Sequence, residues 1–239
     1  KKEEQVETKG KPFLIKRYPV SDNRLRYPFA LIKRINFFLC KHFNKIYLLL
    51  SPILDYLFLK NQGPWCPKLW KYLQENENKY SLLVVKSYLY SPNYYSLEKT
   101  SINIKKLFIV TGHEEPEFKL NFVNKSINNS SILGFVSIAE KNLCNKIWSN
   151  SKQKISLLLP PGIDMNETID SEVRTEIAEI SKKKFFIYLG RIDKHKNVDF
   201  IFNQAPDNCF IVFAGDLKCD IPQDPRFCYV GKISEAEKK

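Results

Sequence analysis

Arg191 and Lys196 are five residues apart in the stretch "YLGRIDKHKNVDFIF". Just before them, Phe185 to Leu189 form a short run of strand formers closed by Gly190. Just after them, Val198, Ile201, Phe202 and Ala205 recur at the i, i+3, i+4, i+7 spacing of an amphipathic helix. The pattern predicts a strand over 185–189 and a helix over 196–205, with Arg191 at the strand end and Lys196 at the helix start. In an open α/β sheet those two places meet at the carboxyl edge, where ligands bind. Two cations beside the N–H groups of a helix N-terminus would hold a doubly charged anion. The alternative is a pair of solvated charges in a lysine-rich loop. A second candidate is His113, one of three histidines, at the end of the apolar run Ile104 to Thr111 and followed by Glu114 and Glu115.

The elements that must position these residues alternate along the chain. "PFLIKRYPV" (12–20) is expected to be a strand, preceded by a dozen charged and loose residues. Residues 24–60 carry helical periodicity, with Ser51-Pro52 expected to close one helix and open the next. Lys33, Arg34, Lys41 and Lys45 flank its apolar stripe, so the segment either packs on a sheet or lies on an anionic membrane; packing is the favoured reading. Another helix follows through Asn76. Strands are then expected at 81–86, 104–111, 132–137 and 155–159, with a helix from Ala139 to Trp148 opened by Ser137 and Glu140 at capping-box spacing. A charged helix is expected over 171–180, then strands at 185–189, 210–214 and 227–230. Such alternation points to an α/β fold with mostly parallel sheets. Pro160, Pro161 and Gly162 break the periodicity between two sets of elements, so a domain boundary falls near 162–170.

Composition narrows the function classes. The 239 residues are 44% hydrophobic and 13% aromatic, enough for a folded core, and the net charge of +12 calls for an acidic partner. The positive residues are dispersed and show no RNP, zinc-finger or helix-turn-helix pattern, so nucleic acid is not the expected partner. The tyrosines of "SYLYSPNYY" could stack bases, but they follow a buried strand, where a packed core is the simpler reading. The six cysteines have neither CxxC spacing nor a His at metal-ligand spacing, and read as buried or free thiols of a reducing compartment. The most apolar segment, Ile46 to Leu54, falls short of the roughly 20 residues that a membrane span requires. The chain begins with Lys and has Met165 as its one methionine, which reads as an internal piece of a longer protein.

Taken in order, the motifs resemble a glycosyltransferase of the GT-B type, in the large retaining nucleotide-sugar family often called family four. "LFIVTGHEEP", "GFVSIAEKN", "LLLPPGID", "FIYLGRIDKHKNVDFI", "FIVFAGD" and "FCYVGKISEAEK" follow that family's order, and the region around "QGPWCPKLWKYL" is similar to a bacterial subgroup. The resemblance implies two Rossmann-type α/β domains: an acceptor-side domain over 1–165 lacking its first strand, and the start of a donor-binding domain over 166–239. It implies that Gly190, Arg191 and Lys196 bind the diphosphate of a nucleotide sugar and that His113, with Glu114, lies near the transferred sugar. Gly162 and Asp164 would shape the crossover between domains, and Glu140 would cap its helix rather than act in catalysis. Asn197 stands where the family has Gly, a position Asn tolerates better than most residues. The donor is then a nucleoside-diphosphate sugar, and the acceptor a sugar, a lipid-linked sugar or a small molecule. No metal or other cofactor is expected. The setting is cytoplasmic, with peripheral contact at the inner face of a membrane as a further expectation. A family member without its first strand and the rest of its donor domain is not expected to complete a catalytic cycle alone, and a non-catalytic sugar-nucleotide or partner-binding role is the alternative.

Overall fold

The structure, a computed structural model, describes residues 2–8, 11–21, 26–162, 175, 180, 184–234 and 237. The chain divides into two compact units, Lys1–Gly162 and Ile163–Lys239, each an α/β arrangement around a parallel sheet.

In the first unit, strands β3 (Leu82–Lys86), β4 (Lys105–Ile109), β5 (Ile132–Phe135) and β6 (Ile155–Leu158) pair in sequence order, all parallel. Helices α4 (Ser91–Lys99), α5 (Asn121–Asn129) and α6 (Ile138–Ile147) make the crossovers. A right-handed crossover that always steps to the next strand keeps its helices on one face of the sheet. That face carries Val85, Phe108, Leu133 and Phe135, packed with Tyr94, Leu97, Phe122, Ile127 and Cys144. On the other face, Leu82, Val84, Ile155 and Leu157 are exposed. Lys106, on the covered face, is buried and donates from Nζ to the carbonyls of Leu97 and Thr100, each at 2.8 Å, capping the end of α4.

Helices α1 (Arg26–His42) and α2 (Asn44–Gln62) form a hairpin, and α2 packs on α4 and α5, with Phe58 stacked on Phe122. The break between them falls at Phe43, and Pro52 lies inside α2, contrary to the expected break at Ser51-Pro52. Proline removes the N–H that would bond the Leu48 carbonyl, but the Ser51 hydroxyl donates to that oxygen at 3.0 Å, so the helix continues. Helix α3 (Pro67–Asn76) follows. The amino-terminal residues are not loose: β1 (Lys2–Thr8) pairs antiparallel with β2 (Lys11–Arg17). With Val6 the one aliphatic residue in β1, no apolar alternation marked that strand.

The second unit repeats the sequential parallel order, with β7 (Phe186–Leu189), β8 (Ile211–Ala214) and β9 (Phe227–Gly231). Helix α7 (Val198–Gln204) joins β7 to β8 and packs Val198, Ile201 and Phe202 onto Phe213 and Ile211. The charged helix expected at 171–180 lies outside the described residues except for Thr175 and Ile180, both helical. Asp164 is also outside them. Ser234 and Glu237 form a capping box, with backbone N–H to side-chain oxygen distances of 2.8 and 3.3 Å.

Candidate functional site

The loop after β7 is built by close backbone approach. Gly190 (φ +147°) and Gly215 (φ +140°) stand side by side at the ends of β7 and β8, and a Cβ on Gly215 would fall 1.9 Å from the Gly190 carbonyl oxygen. The two loops stay paired beyond the strands through Ile192 N–H to Asp216 O and Lys218 N–H to Ile192 O, both 2.9 Å. Buried Ile192 pins the loop to the core, so its neighbours Arg191 and Asp193 are held at the carboxyl edge of the sheet.

Asp193 organises the cations around it. Its Oδ1 accepts from the His195 N–H at 2.9 Å, capping a 3₁₀ turn over Lys194–Lys196, and its Oδ2 lies 3.2 Å from Arg191 Nε. Its carboxyl is held below the usual range, first by the His195 N–H and then by the charges of Arg191, His195 and Lys196. Arg191 is thus held on Asp193 by an ion pair, and Lys196 ends the turn that the same carboxylate caps. Among the described residues Asp193 is the one side-chain partner of the Arg191 guanidinium, and the exposed Lys196 ammonium has no bonded partner. The helix does not begin at Lys196 as expected. Asn197, in the left-handed region (φ 55°, ψ 34°), separates the 3₁₀ turn from α7, so Lys196 belongs to a turn rather than to a helix end. Beside this turn, Asp216 bridges Lys218 and Lys232 at 3.2 Å each.

In the first unit the equivalent edge carries the other candidates. Ser87 (φ 81°) follows β3 and Thr111 (φ 51°) follows β4; with Asn197 they are the non-glycine residues of positive φ among the described residues. Strained backbone of this kind concentrates where loops are shaped for a ligand. Gly112 packs on the Phe118 ring, where a Cβ would come within 2.7 Å, and this turns the exposed His113 and Glu114 outward. Glu115 is held from below by the hydroxyl of buried Tyr88, whose own pKa is raised by burial and then by Glu115.

Glu140 does more than the expected cap. The Ser137 hydroxyl accepts from the Glu140 N–H at 3.1 Å, but the Glu140 carboxylate does not return to Ser137. It accepts from Gly112 N at 2.7 Å and Val136 N at 2.6 Å, tying the loops after β4 and β5 together. The S-x-x-E spacing located this residue, but nothing in the sequence signalled a bond across 28 positions. Of the tyrosines in "SYLYSPNYY", Tyr88 and Tyr94 are core residues, which removes them from any base-stacking surface. All six cysteines are free thiols. No group of three His, Cys, Asp or Glu side chains at metal-binding distances occurs among the described residues.

Compared with known proteins, the chain matches no family model. No curated protein matches it in sequence.

Proposed function

We propose that this chain is part of a retaining GT-B-type glycosyltransferase that takes a nucleoside-diphosphate sugar as donor. The observation that carries the reading is that Asp193 both pairs with Arg191 and caps the turn bearing Lys196, at the carboxyl edge of a parallel sheet beyond a pair of close-packed glycines. Such a turn offers a diphosphate two cations with room to approach. As the sugar–phosphate bond breaks, negative charge grows on the leaving oxygen, and fixed cations there lower the barrier. Loss of either one is expected to cost roughly 10²–10³-fold in rate. In this reading His113, with Glu114, faces the transferred sugar from the loop that Glu140 and Phe118 hold in place.

The test is calorimetric titration of the chain with UDP and GDP, beside a DNA oligomer at physiological salt. Nucleoside diphosphate binding that disappears in the Arg191→Ala, Lys196→Ala double variant is the expected result. No such binding, with salt-sensitive binding of DNA instead, would sink the proposal.

A further inference from the structure

The α1–α2 hairpin buries one side and leaves an apolar side in water. At 100° per residue, Leu31, Ile35 and Phe38 form a stripe on α1, and all three are exposed. On α2, Ile46, Leu49, Ile53 and Tyr56 form the outward stripe, with Leu49 80% and Ile53 64% exposed, while Tyr47, Asp55 and Phe58 are buried on the opposite side. The corner joining the helices is aromatic: the Phe38 ring lies 5.1 Å from His42 and 5.7 Å from Phe43. Apolar surface this extensive, gathered on one supersecondary element, marks a contact site.

Charge selects the occupant. Arg34 and Lys41 are exposed and border the α1 stripe on the side away from buried Asn36. Lys45 is exposed at the start of α2, and Lys60 lies over the Tyr56 ring at 5.6 Å. Asp55 is the lone acid between Arg26 and Gln62, and it is 2% exposed. Lys33 takes no part, since it pairs with Glu117 at 2.6 Å on the packed side. The exposed surface of the hairpin is therefore apolar with a purely cationic border. A second copy would set like charges against each other. A bilayer carrying anionic headgroups satisfies both features at once, taking the apolar side chains at its interface while the lysines and arginine meet phosphate. No helix among the described residues is long and apolar enough to cross a membrane, so the element would lie on the surface rather than span it. We infer that the α1–α2 hairpin is an interfacial anchor for an anionic phospholipid membrane, a property independent of the glycosyl-transfer reading.

The test is co-sedimentation of the chain with phosphatidylcholine vesicles, with and without phosphatidylglycerol. Binding is expected to the mixed vesicles and to fall at high salt. Arg34→Gln, Lys41→Gln and Lys45→Gln together should weaken partitioning about a hundredfold, at about fivefold per cation. Leu49→Glu with Ile53→Glu should abolish it, with the circular dichroism spectrum unchanged because both side chains are exposed. Lys105→Gln, Lys146→Gln and Lys152→Gln remove three exposed charges elsewhere and should leave binding within about twofold. Equal losses in the two triple variants would mean that net charge alone drives the association, and would overturn the inference. Failure to bind mixed vesicles would do so as well. So would a sedimentation dimer that the glutamate variant dissociates, without vesicle binding.

Discussion

Asp193 stands under two opposed demands. Its carboxylate caps the turn that presents Lys196 and holds Arg191 Nε, yet it also places a negative charge where an anion is proposed to bind. Asp193→Asn separates the two roles, because the amide oxygen still accepts the His195 N–H while the charge is gone. Calorimetry is expected to give a few-fold tighter nucleoside diphosphate binding for this variant at low salt, with the gain vanishing as ionic strength rises. Weaker binding at all salt concentrations would mean that the ion pair to Arg191 orients the guanidinium more than the charge opposes the ligand. Neither role was legible in the sequence. Arg191 and Lys196 stood out by position, but no spacing rule singled out the aspartate between them. Asn197 was legible: a residue tolerant of positive φ stands where the backbone takes it.

At the scale of the element, α2 carries a buried acid whose ionisation burdens the fold. Burial pushes the Asp55 carboxyl up to about 6, against the opposing influence of the Tyr47 hydroxyl, which donates to it at 2.9 Å, and of Lys125. The folded pKa exceeds the unfolded value, so the native state binds the proton more tightly between about pH 4 and 6, and stability falls as pH rises through that window. Asp55→Asn cannot ionise. Between pH 4 and 8 its unfolding free energy is expected to gain on the parent by about 2–3 kcal/mol, measured in urea. The helical period of α2 was plain from its leucines and isoleucines, but its continuity past Pro52 was not. Proline is a helix breaker unless something else supplies the lost bond, and Ser51 does so through a side-chain geometry that no periodicity encodes.

For the whole molecule, the sequential strand order decides which apolar residues are core. Phe108 and Ile155 both sit in apolar strand segments, yet the first is fully buried and the second is exposed, because the crossover helices cover one face of the sheet. Phe108→Ala is expected to cost about 3–5 kcal/mol by the cavity it leaves. Ile155→Lys should change stability by about 0.5 kcal/mol or less, as exposed positions do. Equal costs in urea unfolding would show that the outer face is also buried. The same logic holds for the hairpin, whose expected packing is seen on one side of the pair, against helices α4 and α5. Its basic amphipathic pattern favoured packing over a membrane surface, and only the placement of α2 against α4 and α5 decides which apolar stripe stays outside.

The parallel strands from β3 to β9 and the position of the Arg191–Lys196 loop were determined by local pattern, since period, turn chemistry and apolar runs are properties of neighbouring residues. The tertiary structure decided what depends on residues distant in sequence. Glu140 reaches back to Gly112, Tyr88 supports Glu115, and Phe118 fills the space that makes glycine necessary at 112. It also decided which faces meet water, because burial is fixed by the order in which strands pair and by the hand of the crossovers, and neither is written in any single segment.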